Sequence, residues 1–241
     1  MPWLRSGAMV LISCVLCHTA LAVTQQDIDA CYGSSATDDQ AIEACSTMIQ
    51  SGAATGPNLA AAYYNRGISY DNKGSYDLAI EDYSQAIQLR PSYPHAYYNR
   101  GVAYDNKEQS AQATQDFTQA ITLQPDYALA YAGRCWVGAK QGDNLDQALA
   151  DCNRALELDP TGVNALNNRG FVYLKMKKYS ESVADYDLYI NGDTLRATAY
   201  FGRGDAKNHL SAGSGEEDIT SARRLDPDIA AKFANWGIRD F

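Results

Sequence analysis

Polar and apolar positions along the chain repeat with a fixed long period, and inside each period they repeat again with the spacing of a helix. From Tyr76 to Leu89 apolar side chains fall at Tyr76, Ala79, Ile80, Tyr83 and Ile87, the i, i+3, i+4, i+7 pattern of a helix with one buried face. Ala60 to Asp71 reads as a preceding aromatic-rich helix, Asn72-Lys73-Gly74-Ser75 breaks it, and Pro91 closes the pair. The same layout recurs. Asn-Arg-Gly stands at Asn65-Arg66-Gly67, Asn99-Arg100-Gly101 and Asn168-Arg169-Gly170, with Gly133-Arg134-Cys135 and Gly202-Arg203-Gly204 as variants. The third residues lie at 67, 101, 135, 170 and 204, so the spacings are 34, 34, 35 and 34. A second ladder is Pro91, Pro125, Pro160 and Pro227, with Thr194 where a Pro is missing. A helical hairpin of this size cannot bury its apolar face alone, so the period predicts a row of stacked hairpins.

Counted from Ala60, the first unit places Tyr63, Gly67, Tyr70, Ala79, Tyr83, Ala86 and Pro91 at positions 4, 8, 11, 20, 24, 27 and 32; the second has Tyr97, Gly101, Tyr104, Ala113, Phe117, Ala120 and Pro125. These residues resemble the tetratricopeptide repeat family, except that Arg replaces the usual Leu at position 7. A third unit carries one extra residue in its turn, a fourth is degenerate after its first helix, and a fifth has lost one residue. The resemblance implies an all-α, right-handed superhelical solenoid with repeats over 60–93, 94–127, 128–162, 163–196 and 197–227. Residues 24–59 align as an atypical N-terminal hairpin, with Cys45 in the place of Tyr83. A C-terminal capping helix is expected within 228–241, covering the exposed face of the final unit.

The first residues change the picture of where the chain works. Arg5, the apolar run Ala8 to Leu16 and Ala20-Leu21-Ala22 read as a signal peptide over 1–22, cleaved near Ala22. An uncleaved anchor and lipidation at Cys14 are the alternatives; the run is shorter than the roughly 20 residues that span a bilayer. The expected location is periplasmic or secreted. Four cysteines would remain, Cys31, Cys45, Cys135 and Cys152, in a compartment where disulfides persist. Three pairings are open. The repeat register, which sets Cys135 at position 8 opposite Cys152 at position 24, favours Cys31–Cys45 and Cys135–Cys152 as structural staples.

Charge and motifs narrow the chemistry. A formal net charge of −9 speaks against a nucleic-acid or anionic-membrane partner, which needs clustered Lys and Arg. Arg66, Arg100, Arg134, Arg169 and Arg203 recur with Asp82, Asp116, Asp151, Asp185 and Asp218, which predicts an ion-pair ladder between helices; a row of ligand-binding arginines is the other reading. No nucleophile, phosphate-loop or metal-ligand spacing stands out, so no enzyme, cofactor or metal is expected.

In the family this chain resembles, positions 2, 5, 6, 9, 12 and 13 of the first helices line a concave groove that binds peptides. Carried over, they give Ala61, Tyr64, Asn65, Ile68, Asp71 and Asn72, then His95, Tyr98, Asn99, Val102, Asp105 and Asn106. Leu129, Trp136 and Lys140 follow, then Asn164, Asn167, Asn168, Phe171 and Lys175. Such a surface offers aromatic anchors and amides for a peptide backbone; the bland alternative is that these residues merely stabilise their helices. It resembles an asparagine ladder and not a basic carboxylate clamp. The expected function is a non-catalytic module that holds another protein, or else a structural subunit of an envelope complex that uses its convex face or ends.

Overall fold

A computed structural model describes residues 23–33, 35–190 and 196–238. The expected signal peptide, its expected cleavage site and Cys14 lie outside these residues, as do Thr194 and the last three residues of the expected capping segment. The described residues form helices joined by turns. The chain opens with α1 (Gln25–Tyr32) and α2 (Asp38–Gln50). Five hairpins follow: α3 (Gly56–Asn72) with α4 (Tyr76–Leu89), α5 (Pro94–Asn106) with α6 (Ser110–Leu123), α7 (Ala128–Gln141) with α8 (Leu145–Leu158), α9 (Val163–Lys175) with α10 (Tyr179–Ile190), and α11 (Ala197–Leu210) with α12 (Glu216–Leu225). A short α13 (Ile229–Asn235) ends the row.

Local chemistry sets these boundaries. Thr24 with Asp27 and Thr37 with Gln40 form capping boxes that start α1 and α2. Pro57 and Pro94 occupy the first turns of α3 and α5, where a missing N–H costs nothing. With Pro57 in its first turn, α3 begins at Gly56, one turn before the register position Ala60. The turn inside each of the first four hairpins passes through one left-handed residue at the same register: Gly74, Glu108, Gly142 and Lys177, with φ of 72°, 59°, 80° and 59°. In the third unit the extra residue is absorbed by Gly142-Asp143-Asn144, and Asn144 caps α8 by accepting from the Gln147 N–H.

The first helices of successive units pack directly on one another, α3 on α5, α5 on α7, α7 on α9 and α9 on α11, whereas no two second helices come as close. A row close-packed along one side and splayed along the other curves toward the close-packed side, so α3, α5, α7, α9 and α11 line the inner face. The result is an all-α repeat solenoid. Its core is built from small residues facing rings. Ala79, Ala86, Ala113, Ala120, Ala148 and Ala155 are buried, and Tyr83, Phe117 and Tyr186 fill the space between helices. A Cβ on Gly67 would lie 2.8 Å from the Tyr83 ring, and one on Gly101 would lie 2.9 Å from Phe117, so position 8 is glycine because position 24 is aromatic. In the third unit that contact is replaced by a covalent bond, Cys135 to Cys152, with Cα atoms 5.4 Å apart. Cys31 and Cys45 are joined likewise, at 4.9 Å.

The arginine–aspartate ladder is present in every unit. Arg66, Arg100, Arg134, Arg169 and Arg203 each fork onto the carboxylate of Asp82, Asp116, Asp151, Asp185 or Asp218 through Nε and a terminal nitrogen, at 2.6–2.8 Å. The remaining nitrogen reaches back to the preceding hairpin, to Ser46, Ser84, Thr118, Asn153 and Asp187 in turn. Each arginine therefore ties its own hairpin together and fastens it to the one before. Among the described residues no helix is long and apolar enough to cross a membrane.

Candidate functional site

The inner face divides into two halves, and aromatic side chains make the division. Along α3, α5 and α7 the rings are partly exposed and lean on one another. Tyr64 lies 4.8 Å from Tyr93 between ring centroids, Tyr98 5.3 Å from Tyr127, and His95 5.0 Å from Tyr127. Tyr93 and Tyr127 immediately precede α5 and α7 and widen this band. They stand two residues after Pro91 and Pro125 and are 34 residues apart, a periodicity that could have placed them with the groove residues. Burial, together with the neighbouring Tyr93, pushes the Tyr64 phenol up to about 12; burial likewise raises Tyr98 and Tyr127. All three stay neutral near pH 7.

Beyond α7 the groove is filled in part by the chain itself. Phe233 of α13 packs edge-on against Phe171 at 5.5 Å and at a tilt against Phe201 at 4.6 Å, and Trp236 meets Trp136 at 5.1 Å and Phe171 at 5.8 Å. Two expectations change as a result. The capping helix does not only cover the outer end of the last unit; it turns into the inner face and reaches back to the third. Phe171 is only 2% exposed and anchors α13, so it is not an open groove anchor. Trp136, partly buried, marks the boundary with one side against Trp236.

The asparagines are also committed more deeply than their ladder suggests. Asn65 donates to the Cys31 carbonyl, Asn99 to the Tyr64 hydroxyl and Asn168 to the Ala132 carbonyl, at 2.9–3.0 Å. Their N–H groups hold neighbouring inner helices together, and Asn168 is buried. Asn72 is exposed and donates to Asp38. Ile68 packs partly buried beside Tyr83 and Tyr64, Val102 against the Phe117 cluster, and Asn106 is exposed. Lys175 caps α7 by donating to the Ala139 and Lys140 carbonyls at 2.8 and 3.2 Å, and burial lowers its pKa. Lys140 pairs with Asp105 at 2.5 Å above the Trp136 ring.

A cleft of about 310 Å³ stays open between α5, α7 and α9, lined by Tyr98, Val102, Leu129, Trp136, Asn164 and Asn167 among others. The buried Asn167 Oδ1 there accepts no hydrogen bond from the described residues. The surface combines flat rings, short apolar contacts and amide oxygens, a composition suited to holding a chain. No group of three or more His, Cys, Asp or Glu able to hold a metal ion occurs among the described residues.

The repeat family description "TPR repeat" matches residues 70–108 and 139–177, and "Tetratricopeptide repeat" matches residues 94–127. This chain contains tetratricopeptide repeats. Similar solved structures include a tetratricopeptide repeat protein from Parabacteroides merdae, with 19% identity, 82% of this chain and 81% of that chain covered, and a TM-score of 0.65. PilF of Pseudomonas aeruginosa is similar at 17% identity over 82% of this chain and 89% of its own, with a TM-score of 0.64. YrrB, described as a tetratricopeptide repeat protein with an unusual peptide-binding site, is 21% identical over 78% of this chain and 94% of its own, with a TM-score of 0.57. At these identities the likeness is one of fold. No curated protein matches the chain.

Proposed function

We propose that the open half of the inner face, on α3, α5 and α7, binds an extended segment of another protein, and that the chain is a non-catalytic scaffold. The observation that carries this reading is the band of partly exposed rings at Tyr64, Tyr93, Tyr98, Tyr127 and His95, which ends where Trp236 closes on Trp136. A peptide-binding site in YrrB supports it by analogy of fold. Two steps of roughly 10 Å between the three helices give room for about six extended residues at ~3.3 Å each.

The experiment is crosslinking pulldown from the native source with Tyr98→Ala and with a convex-face control, Leu188→Ser, both checked for fold by circular dichroism. Loss of the partner with Tyr98→Ala alone supports the groove. Unchanged capture with Tyr98→Ala and loss with Leu188→Ser would move the interaction to the outer face. The disulfides fit an extracytoplasmic location, and the same preparation tests it: N-terminal sequencing should begin near Val23.

A further inference from the structure

At position 12 of the second unit, Asp105 is held by Lys140 of the next inner helix, whose ammonium also lies over the Trp136 ring. The first unit has the same residue at the same place, Asp71, but the position that should answer it, 35 residues on, is Asn106 rather than a lysine. Asp71 is partly exposed to the groove, and its Oδ1 is shut off from solvent with no hydrogen-bond partner among the described residues. The buried Tyr83 hydroxyl feels the charge of Asp71 and the amide of Asn99.

No basic side chain of the neighbouring helices is available to it. Arg66 is committed to Asp82, Lys73 to Asp39, Arg100 to Asp116 and Lys107 to Asp77, and Arg90 lies over the Tyr93 ring. Two phenols, Tyr83 from α4 and Tyr98 from α5, feel its charge, which raises their titration. Burial raises the carboxyl of Asp71 itself, as it does for a carboxylate taken out of water without a cation. An unpaired carboxylate beside aromatic rings is costly as it stands and favourable once a cation arrives.

We propose that Asp71 receives a lysine or arginine side chain of the bound segment, so that the groove selects partners with a basic residue at one fixed place. This rests on the groove reading above and names what the groove selects. The Asp105–Lys140 pair is the internal pattern for the contact: the partner supplies between the first two units the cation that Lys140 supplies between the next two.

The test uses the full purified chain and a library of random hexapeptides displayed on a surface. It is run on the wild type, on Asp71→Asn, on Asn106→Lys, which installs the internal cation, and on Tyr98→Ala. Peptides selected by the wild type and lost on Tyr98→Ala should share one position occupied by Lys or Arg. Replacing that residue by Ala should weaken binding about tenfold on the wild type, as for a charge-assisted contact, and less than about twofold on Asp71→Asn or Asn106→Lys. Selected peptides without a fixed basic position, or an equal loss on Asp71→Asn, overturn the assignment to Asp71 while leaving the groove in place. Selection of no peptide overturns the groove reading itself.

Discussion

At the scale of single residues, the arginine ladder is the strongest device in the molecule. Asp82, Asp116, Asp151, Asp185 and Asp218 are each less than 8% exposed, and a buried carboxylate needs its cation. Arg100→Met should therefore cost about 3–5 kcal/mol, because Asp116 is left buried and unpaired, whereas Arg100→Met with Asp116→Leu should recover most of that loss. Urea denaturation of both variants checks this; a double variant no more stable than the single one would mean that the pair is not mutually dependent. The fifth rung adds a pH dependence. Burial alone would raise the Asp218 carboxyl, but Arg203 and Lys207 outweigh it and hold it below the ordinary range. Its contribution is thus complete above an unfolded value of about 3.9 and is lost as pH falls through the lower folded value. Thermal melts between pH 5 and pH 2 should fall less steeply for Asp218→Asn than for the wild type. The paired arginines and aspartates were legible from their common period. The third arm of each arginine was not, because its acceptor is Ser, Ser, Thr, Asn and then Asp, and a position that asks only for an oxygen leaves no repeated letter.

At the scale of elements, turns and caps decide how sharply each hairpin is defined. Glu108 and Lys177 hold the left-handed turn position that Gly74 and Gly142 fill elsewhere, and a side chain there costs about 1–2 kcal/mol of backbone energy. Glu108→Gly and Lys177→Gly should each raise stability, by about 0.5–1 kcal/mol after the extra freedom of the unfolded glycine is counted; chemical denaturation midpoints measure it, and a lower midpoint refutes it. The last helix makes the opposite point. A capping helix within 228–241 was expected from the sequence, but where it would lie was not readable there. Its docking is decided by rings far away in sequence, Phe171 and Trp136, whose positions along the inner face are the ones that would serve equally well as groove anchors. Deleting residues 229–241 removes the buried Ile229 and Phe233, at about 1.5–3 kcal/mol each. It should also lower the melting temperature and shift Trp136 emission to the red. An unshifted Trp136 would mean that α13 does not close the groove in solution.

At the scale of the whole molecule, stability in such a row is a sum over units and their contacts with nearest neighbours, so a staple acts where it sits. The two disulfides close short loops, with sequence separations of 14 and 17. The chain-entropy account assigns about 3 kcal/mol to each. They are not spread evenly. One closes the N-terminal hairpin, whose buried cluster with the start of α3 is small, being Cys31, Ala44, Cys45, Met48, Ala54 and Ala62. The other stands in the third unit in place of the glycine–ring contact that fills the first, second and fourth. Between them lie α3, α4, α5 and α6, held by Tyr83, Phe117 and two arginine rungs without any covalent link. Reduction should therefore loosen the row in two separate places. Hydrogen exchange followed by mass spectrometry, on reduced and oxidised protein, should show protection lost in α1–α2 and in α7–α8, with α4–α6 changed far less. The effect on α7–α8 reaches the proposed site, because α7 carries Trp136 and the lysine that neutralises Asp105. Reduced protein should then hold a groove-bound peptide more weakly even while most of the row stays folded, whereas a uniform loss of protection across all units would show that the row melts as one cooperative body and that the staples act globally.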